Sequence, residues 1–372
     1  MEYPLVDNTI FEADEEYIPE PEPEPQPPLW MDGSLRIGIH TSISGSYLNA
    51  LESAKKLGAN AVQIFSASPR MWQAASVRVP ESDAKAFRMR REALGLGPLV
   101  IHANYLVNLA ATQPMLRTRS IQAFHEELVR GLALGADFVV VHPGARGEAP
   151  MESAIRTIID NVRQAARRVP LGNMRILIEN TAGMGTCVGS RLEEVGAIVH
   201  GLSELRLGAC LDTAHLLASG YDIRSEAGLE RTIEEIDRTI GLANVPVIHA
   251  NDSKIPLGGR VDRHAHVGKG KIGAEAFARI LRHPRLGSTA PEGLAGRAFL
   301  LETPIDDPGD DRKNVARLWD FAGVEGPTAE KGYSMLTSAM KKMMARKGKK
   351  LSARHLPAGK KRKRVKSRRV QE

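Results

Sequence analysis

The chain has 372 residues and a formal net charge of +7, and 42% of its residues are hydrophobic. This length and composition allow one large folded domain with extensions. No apolar run is long enough to span a bilayer, and the acidic, proline-rich N-terminus is unlike a secretory signal, so we expect neither a membrane-inserted nor a secreted protein.

Opposite charges are concentrated at the two ends of the chain. Residues 1–33 carry ten acidic side chains and no Lys or Arg, and they include a Glu-Pro repeat that blocks helix and sheet. Residues 341–372 carry fifteen Lys or Arg and one Glu. We predict a disordered acidic arm over residues 1–33, one folded domain over residues 34–325, and a disordered basic tail over residues 326–372.

Eight short apolar runs lie between these ends and are separated by segments of helical periodicity. The runs are rich in Val, Ile and Leu without polar alternation, as expected for parallel strands buried on both faces. Strands that alternate with helices in this way predict a (β/α)8 TIM barrel, an α/β fold. The predicted strands are Leu35–Ile39, Ala61–Phe65, Leu99–Ile101, Phe138–Val141, Arg175–Ile178, Leu207–Leu211, Val245–Ile248 and Ala298–Leu301.

Seven of the eight runs close on a residue that can bind a metal. Side chains at the C-terminal ends of TIM-barrel strands converge on one pocket. A single buried His is usually a satisfied core residue, but seven polar groups in register at a barrel mouth are costly unless they share a ligand. The closing residues are His40, Phe65, His102, His142, Glu179, Asp212, His249 and Glu302, of which only Phe65 cannot bind a metal.

Three more candidate ligands follow strands 6 and 7. His215 comes three residues after Asp212, and Asp262 and His264 have the i, i+2 spacing that places both side chains on one side of an extended segment. Without His40, the set contains five His, two Asp and two Glu, which is more than one four-coordinate zinc can use. A bridging carboxylate would let them serve three metal ions, with zinc favoured and manganese or iron also compatible.

Other His and Asp residues have simpler interpretations. We interpret Asp252 as a loop cap, while His40 could be a ligand, a phosphate donor or a hydrogen-bonding residue at the barrel mouth. The histidines that follow no strand are interpreted as surface or structural residues, and these are His125, His200, His283 and His355.

Six motifs occur in order along roughly residues 35–325. They are Gly38-Ile-His40, Val141-His-Pro-Gly144, Ile178-Glu-Asn-Thr181, Leu211-Asp-Thr-Ala-His215, His249-Ala-Asn-Asp-Ser253 and Val261-Asp-Arg-His264. In type and order these motifs resemble the endonuclease IV family. The resemblance implies a zinc-dependent apurinic/apyrimidinic endonuclease with a TIM-barrel fold. Such an enzyme hydrolyses the phosphodiester 5′ to an abasic site in duplex DNA and leaves a 3′-hydroxyl and a 5′-deoxyribose phosphate.

The same resemblance divides the nine ligands among three Zn²⁺ ions, with Mn²⁺ compatible at one site. It gives catalytic roles to Glu179, which would bridge two metals, and to Glu302, which would also orient the attacking water. The implied groups are His102, His142 and Glu179 for one zinc, Glu179, Asp212, His249 and Glu302 for a second, and His215, Asp262 and His264 for a third.

Residues after strands 2 and 3 match the family's DNA-binding loops. Arg70 matches its inserted arginine, and Tyr105 with Leu106 matches its inserted pair. A wedge into the minor groove costs little where a base is missing. The residues by themselves would also fit a solvated loop charge at Arg70 and the start of a helix core at Tyr105-Leu106. Ala-Ser-Pro precedes Arg70 where some members are more polar, which affects the detail of the DNA contact.

Two other functions remain open. Xylose-isomerase-like sugar isomerases and epimerases also gather His, Asp and Glu at strand ends, but they need only one or two divalent metals. The third ligand group and the Arg70 and Tyr105 loops favour the nuclease. A binding protein with an inactive barrel and an active tail is the other alternative, and the complete ligand set argues against it.

The expected partner is duplex DNA with abasic sites, and the expected oligomeric state is a monomer. Two cysteines, Cys187 and Cys210, allow at most one disulfide, which favours a reducing intracellular compartment. We expect the cytoplasm or nucleoid in a bacterium and the nucleus in a eukaryote. The basic tail resembles a nuclear localisation signal and would equally serve as a DNA-binding arm.

Overall fold

The computed structural model describes residues 33–72, 78–287 and 297–327, and ten strands lie within them. The strands are β1 (Arg36–His40), β2 (Ala61–Phe65), β3 (Leu99–His102), β4 (Phe138–Val141), β5 (Arg175–Glu179), β6 (Leu207–Asp212), β7 (Val247–His249), β8 (Asp252–Ser253), β9 (His264–Ala265) and β10 (Ala298–Leu301). Eight of them form a closed parallel barrel in the order β1-β10-β7-β6-β5-β4-β3-β2. Strands β8 and β9 form a separate antiparallel pair. The predicted (β/α)8 TIM barrel is confirmed.

Helices alternate with the barrel strands. The longest, α3, has Pro114 in its first turn and ends at Gly135, whose left-handed conformation suits a glycine. None of the helices in the described ranges combines the length and apolar composition that crossing a bilayer requires. The helices are α1 (Tyr47–Lys56), α2 (Glu81–Ala93), α3 (Pro114–Leu134), α4 (Met151–Ala166), α5 (Leu192–His200), α6 (Thr213–Ser219), α7 (Glu226–Thr239), α8 (Ala274–Arg282) and α9 (Asp310–Ala322), with a 3₁₀ turn at Leu242–Asn244.

Strand boundaries agree with the predicted ones to within one residue, except at β7. This strand begins at Val247 instead of Val245. The N–H of Val245 donates to the carbonyl of Leu242 at 3.1 Å, and Pro246 has no N–H for the ladder. The turn therefore continues for two residues that the apolar pattern assigns to the strand.

Two apolar layers lie on opposite sides of the barrel wall. One fills the space between strands and helices, with residues such as Ile37, Ile101 and Phe277. The other plugs the barrel interior, as in other TIM barrels. The interior layer consists of Ala61, Val100, Phe138, Val140, Leu177, Cys210, Val247, Ala298 and Leu300.

A ring of polar residues lies above this plug. Alternate residues of a strand face the same side, so the residue two positions after an interior residue also faces the barrel axis. This rule places one polar side chain from each of the eight strands at the mouth. His40 follows Gly38, Gln63 follows Ala61, His102 follows Val100, His142 follows Val140, Glu179 follows Leu177, Asp212 follows Cys210, His249 follows Val247, and Glu302 follows Leu300.

The two charged ends stay predictions. The acidic arm over residues 1–33 and the basic tail over residues 326–372 lie outside the described residues, apart from residue 33 and residues 326–327.

Gly38 allows the closest approach between strands inside the barrel. A Cβ atom there would lie 2.3 Å from Cδ2 of Leu300 and 2.7 Å from the carbonyl oxygen of Ala61. We expect Gly38→Ala to lower the free energy of unfolding by about 1–3 kcal/mol, the usual cost of overpacking. Urea denaturation followed by circular dichroism measures this loss. The exposed control Ser82→Ala should change stability by less than about 0.5 kcal/mol, and equal midpoints for both variants would contradict the packing argument.

Candidate metal centre

The carboxylate of Glu179 is fully buried and lies among four imidazoles. Its Oε1 atom is 2.9 Å from Nδ1 of His249 and 3.6 Å from Nδ1 of His215. Its Oε2 atom is 3.2 Å from Nε2 of His102 and 3.5 Å from Nε2 of His142. Burial opposes ionisation, but the surrounding histidines outweigh it and hold the pKa of Glu179 well below its usual value. This carboxylate is therefore the charged centre of the barrel mouth.

Ligand atoms at the mouth form three overlapping groups, in each of which every atom lies within 4.8 Å of the others. Glu179 belongs to the first and second groups, and Asp212 belongs to the second and third. Shared carboxylates of this kind are what adjacent metal sites use as bridges. The groups are His102, His142 and Glu179, then Glu179, Asp212, His249 and Glu302, and then Asp212, His215 and His264.

The third group contains Asp212, where the family resemblance implied Asp262. Asp262 nevertheless contacts both imidazoles of the group. Its Oδ2 lies 3.3 Å from Nε2 of His215, and its Oδ1 lies 3.2 Å from Nε2 of His264. The Asp262 side chain is 46% exposed, so it closes the group on the solvent side. The structure thus brings all nine predicted ligand residues together.

Backbone carbonyls orient three of the histidines. The Nδ1 atoms of His102, His215 and His264 lie 2.8, 2.9 and 3.1 Å from the carbonyl oxygens of Ala103, Asn180 and Glu302, respectively. A carbonyl can only accept, so each Nδ1 carries the proton and each Nε2 is directed to the ligand group. This arrangement sets the ligand nitrogen before any metal binds.

The residues fit a metal by two criteria. Nε2 of His264 is buried and makes no hydrogen bond, although carboxylate oxygens of Asp212 and Asp262 lie 3.5 and 3.2 Å away. A buried polar atom without a hydrogen bond is uncommon and is expected for a metal ligand. The donor set of imidazole and carboxylate is also the set that zinc accepts.

Without a metal, protons balance the negative charge of the third group. Burial disfavours protonated His215, but Asp212 and Asp262 outweigh it and raise the pKa of His215 to about 10. Burial likewise opposes protonation of His264, and Asp212 with Asp262 raises its pKa to about 9. The same imidazoles hold the pKa of Asp262 below its usual value despite burial. A metal that binds here must displace protons.

A cavity of 520 Å³ opens above the ligand groups. Lys254 and Arg263 line it and bring positive charge beside the carboxylates. Tyr105 and Ile305 are 59% and 64% exposed at its rim. The cavity is therefore lined by metal-binding residues, cations and exposed apolar side chains that could contact a phosphate-bearing substrate.

The two loops predicted to bind DNA are joined to each other. Nδ2 of Asn104 donates to the carbonyls of Ser68 and Met71 at 3.2 and 2.8 Å, and the N–H of Tyr105 donates to the carbonyl of Pro69 at 3.2 Å. Residues 103–113 are not helical, since α3 begins at Pro114, so the interpretation of Tyr105-Leu106 as the start of a helix core is wrong.

The predicted DNA-binding residues lie on this joined surface. Arg70 and Tyr105 are exposed, and Leu106 is half-buried. The Tyr105 ring packs edge-on against Phe65, with 5.1 Å between the ring centroids. Both loops therefore present their side chains beside the cavity.

Residues with simpler interpretations are also located. The carboxylate of Asp252 accepts from the N–H groups of Gly270, Ile272 and Gly273 at 2.8, 2.9 and 3.3 Å, which is the loop-capping role expected of it. His40 lines the cavity and lies outside the three groups. His355 lies outside the described residues. The remaining three make local contacts away from the mouth, His125 with Ala165, His200 with Thr239 and His283 with Glu230.

Sequence reasoning missed several buried polar residues. Gln63 is the polar residue of strand 2 at the mouth, but that run was closed at Phe65. The interior alternation that begins at Ala61 was the signal that could have identified Gln63. Asn251, which donates to Asp212 Oδ2 at 2.7 Å, stood unremarked inside a recognised motif. No local signal pointed to the buried contacts among Ser66, Glu127 and Arg130 beneath the β2 loop.

Fold and site together define a class: a parallel barrel whose mouth gathers His, Asp and Glu. The model of the family described as "Xylose isomerase-like TIM barrel" matches residues 51–319. The chain is similar, at 16% identity and with a TM-score of 0.57, to a "D-tagatose 3-epimerase-like protein", over 78% of this chain and 97% of that one. At this identity the likeness shows the fold alone.

More similar proteins narrow the class. The chain is 48% identical to "Probable endonuclease 4" of Solibacter usitatus over 297 residues, which is 79% of this chain and 99% of that protein. It is 38% identical to the crystal structure of endonuclease IV from Thermus thermophilus, with a TM-score of 0.66, and the match covers 77% of this chain and 99% of that one. The chain belongs to the endonuclease IV family.

Proton displacement predicts how zinc affinity depends on pH. The raised pKa values of His215 and His264 keep both protonated near neutral pH without metal, so zinc competes with at least one proton. Zinc affinity should rise about tenfold or more per pH unit between about pH 6 and 8. Competition with a chromophoric chelator of known pH dependence measures it.

Two variants make this measurement specific. Replacing His215 by Asn should flatten the slope, whereas His200→Gln on the outer surface should leave it unchanged. A zinc affinity independent of pH would contradict the protonation of His215 and His264 in the metal-free site.

Proposed function

We propose that the protein is a zinc-dependent apurinic/apyrimidinic endonuclease. It would hydrolyse the phosphodiester 5′ to an abasic site in duplex DNA and leave a 3′-hydroxyl and a 5′-deoxyribose phosphate. One observation carries this proposal: nine ligand residues converge in three overlapping groups directly beside the joined loops that bear Arg70 and Tyr105. Membership of the endonuclease IV family supports it.

The three groups would hold three Zn²⁺ ions, with Mn²⁺ compatible at one of them. Glu179 would bridge the first two groups, and Asp212 would join the second to the third, with Asp262 on the solvent side of the third. What bound zinc supplies is Lewis-acid chemistry: a lowered pKa for water and compensation of charge on phosphate oxygens.

Glu179 and Glu302 are the proposed catalytic carboxylates, and their surroundings differ. Glu179 is fully buried, which suits a bridging ligand, whereas the side chain of Glu302 is 19% exposed and borders the cavity. Burial opposes ionisation of Glu302, but His249 and His102 outweigh it and lower its pKa to about 2. An ionised carboxylate at the cavity wall can accept a hydrogen bond from the attacking water and orient it.

Cations in the cavity wall would bind the DNA backbone. Lys254 follows β8, and Arg263 precedes β9, so the β8–β9 hairpin presents both side chains at the cavity. Charge-assisted contacts to phosphate oxygens would orient the scissile bond above the metal groups.

Arg70, Tyr105 and Leu106 are the proposed abasic-site readers. An exposed cation, an exposed aromatic ring and a half-buried leucine lie on one surface, because Asn104 joins their loops. Inserting such side chains into a base stack costs least where a base is already missing, and this difference would select abasic DNA.

A sugar isomerase or epimerase remains the second candidate by fold. The likeness to an epimerase-like protein carries the barrel and no more. Three ligand groups and a solvent-exposed pair of joined loops favour the nuclease, because a small sugar needs neither. A purified protein that isomerises sugars and does not cut abasic DNA would reverse this preference.

The central test is an incision assay on duplex DNA with one abasic site. Purified protein should nick this duplex without added magnesium and should lose activity gradually in a strong chelator, because nine ligands retain metal through purification. Mass spectrometry of the metal should find about three zinc ions per chain. The same duplex with an intact base is the control. Full activity of metal-free protein, or an absolute requirement for magnesium, would overturn the proposal.

The role of Arg70 is tested separately from the metals. Arg70→Ala should weaken binding to abasic duplex by about tenfold, or ~1.4 kcal/mol, while zinc content stays unchanged. Fluorescence anisotropy with labelled duplex measures the affinity. Arg156→Ala, at an exposed arginine on α4, is the matched control and should bind as the parent protein does. Loss of zinc in Arg70→Ala would show that the β2 loop has a different role.

A further inference from the structure

Gln63 is a fully buried amide at the barrel mouth that contacts three residues of neighbouring strands. It lies on β2, level with His40 of β1 in the strand register. Its Nε2 is 2.5 Å from Oε1 of Glu302 and 3.1 Å from Nδ1 of His40, and its Oε1 is 2.8 Å from Nε2 of His249. One side chain therefore joins two members of the second ligand group to a histidine of the cavity wall.

The chemistry of these partners determines the orientation of the amide. A carboxylate only accepts hydrogen bonds, so the NH₂ group of Gln63 must face Glu302. The opposite orientation would place two oxygens 2.5 Å apart. The carbonyl oxygen of Gln63 therefore faces His249 and requires a proton on its Nε2 atom.

This hydrogen bond decides which nitrogen of His249 can bind a metal. With Nε2–H donated to Gln63, a neutral His249 has its lone pair on Nδ1. That atom lies 2.9 Å from Oε1 of Glu179 and 3.4 Å from Oε2 of Glu302, inside the second ligand group. The same NH₂ group donates to Nδ1 of His40, which leaves the His40 proton on Nε2.

His249 differs in this respect from the other oriented histidines. Backbone carbonyls hold His102, His215 and His264, and no substitution can remove a carbonyl. A side chain from the neighbouring face of the barrel holds His249. Its orientation can therefore be changed by replacing one residue that is not itself a ligand.

We propose that Gln63 is a positioning residue of the second metal group. It fixes the tautomer of His249 and holds the Glu302 carboxylate in register with that ring. This inference rests on the proposed nuclease function for its effect on turnover, and on geometry alone for its effect on metal affinity. Partners of this kind contribute about 10–100-fold to metal affinity or activity.

The test compares Gln63→Met with Gln122→Met. Methionine keeps the volume of Gln63 but neither donates to Glu302 nor accepts a strong hydrogen bond from His249. Gln122 is exposed on α3 and provides the same change away from the mouth. In Gln63→Met, the zinc dissociation constant from chelator competition should rise about 10–100-fold and kcat on abasic duplex should fall by a similar factor. KM for DNA should not change, because Gln63 lies outside the wedge surface.

A second variant separates the two contacts of the amide. Gln63→Glu still accepts the proton of His249 Nε2 but repels Glu302, so zinc affinity should stay near that of the parent while kcat falls. It also covers the case in which Gln63→Met does not fold. Zinc affinity and kcat equal to those of Gln122→Met, in whichever Gln63 variant folds, would overturn the proposal. If the parent protein fails to cut abasic DNA, the proposed function fails, and the zinc competition still decides the role of Gln63.

Discussion

The mouth of the barrel depends on the burial of one ionised carboxylate. Glu179 is enclosed on every side, and an isolated charge in such a place is prohibitively costly. Four imidazoles from four different elements surround it, and they bring Asp212 and Glu302 with them as their own charge partners. The positions of the ligand residues are therefore interdependent, because each satisfies the charge or hydrogen-bonding need of its neighbours. A site of this kind is either assembled as a unit or not assembled at all.

The apolar plug beneath the polar ring makes these charges effective. Val100, Leu177 and Cys210 exclude water from below, so interactions at the mouth operate in a medium of low polarity. Strand ends place the side chains more rigidly than loops could, because each strand is hydrogen-bonded on both sides in a closed barrel. Hydrogen bonds to backbone carbonyls and to the Gln63 amide then set the ring nitrogens. The order of the site is built into the scaffold before any ligand arrives.

The loops beside the site are anchored by buried polar groups of their own. Asn104 joins the β2 and β3 loops, and Asp252 gathers three backbone N–H groups of the loop after β9. Beneath the β2 loop, Glu127 and Arg130 enclose the hydroxyl of Ser66 in a fully buried cluster. Such anchors limit the conformational freedom that binding would otherwise have to remove. The exposed side chains of Arg70 and Tyr105 are thus carried by constrained backbone.

Much of this protein was readable from its sequence, because a strand alternates with a period of two and a parallel barrel collects its strand ends at one face. Local apolar runs therefore predicted the eight strands to within a residue or so. The residue types that close those runs, such as His102 and Glu302, predicted a metal-binding mouth. These inferences need only local periodicity and the topology that it implies.

Tertiary structure alone decided the pairing of those side chains. The sequence could not show that Asp212 lies close enough to His215 and His264 to join their group, that Gln63 connects β2 to Glu302 and His249, or that Asn104 joins two loops. These contacts depend on strand stagger and ring orientation across the barrel, over sequence separations of up to 239 residues between Gln63 and Glu302. Local sequence patterns carry no information about distances of that kind, which are determined only when the barrel closes.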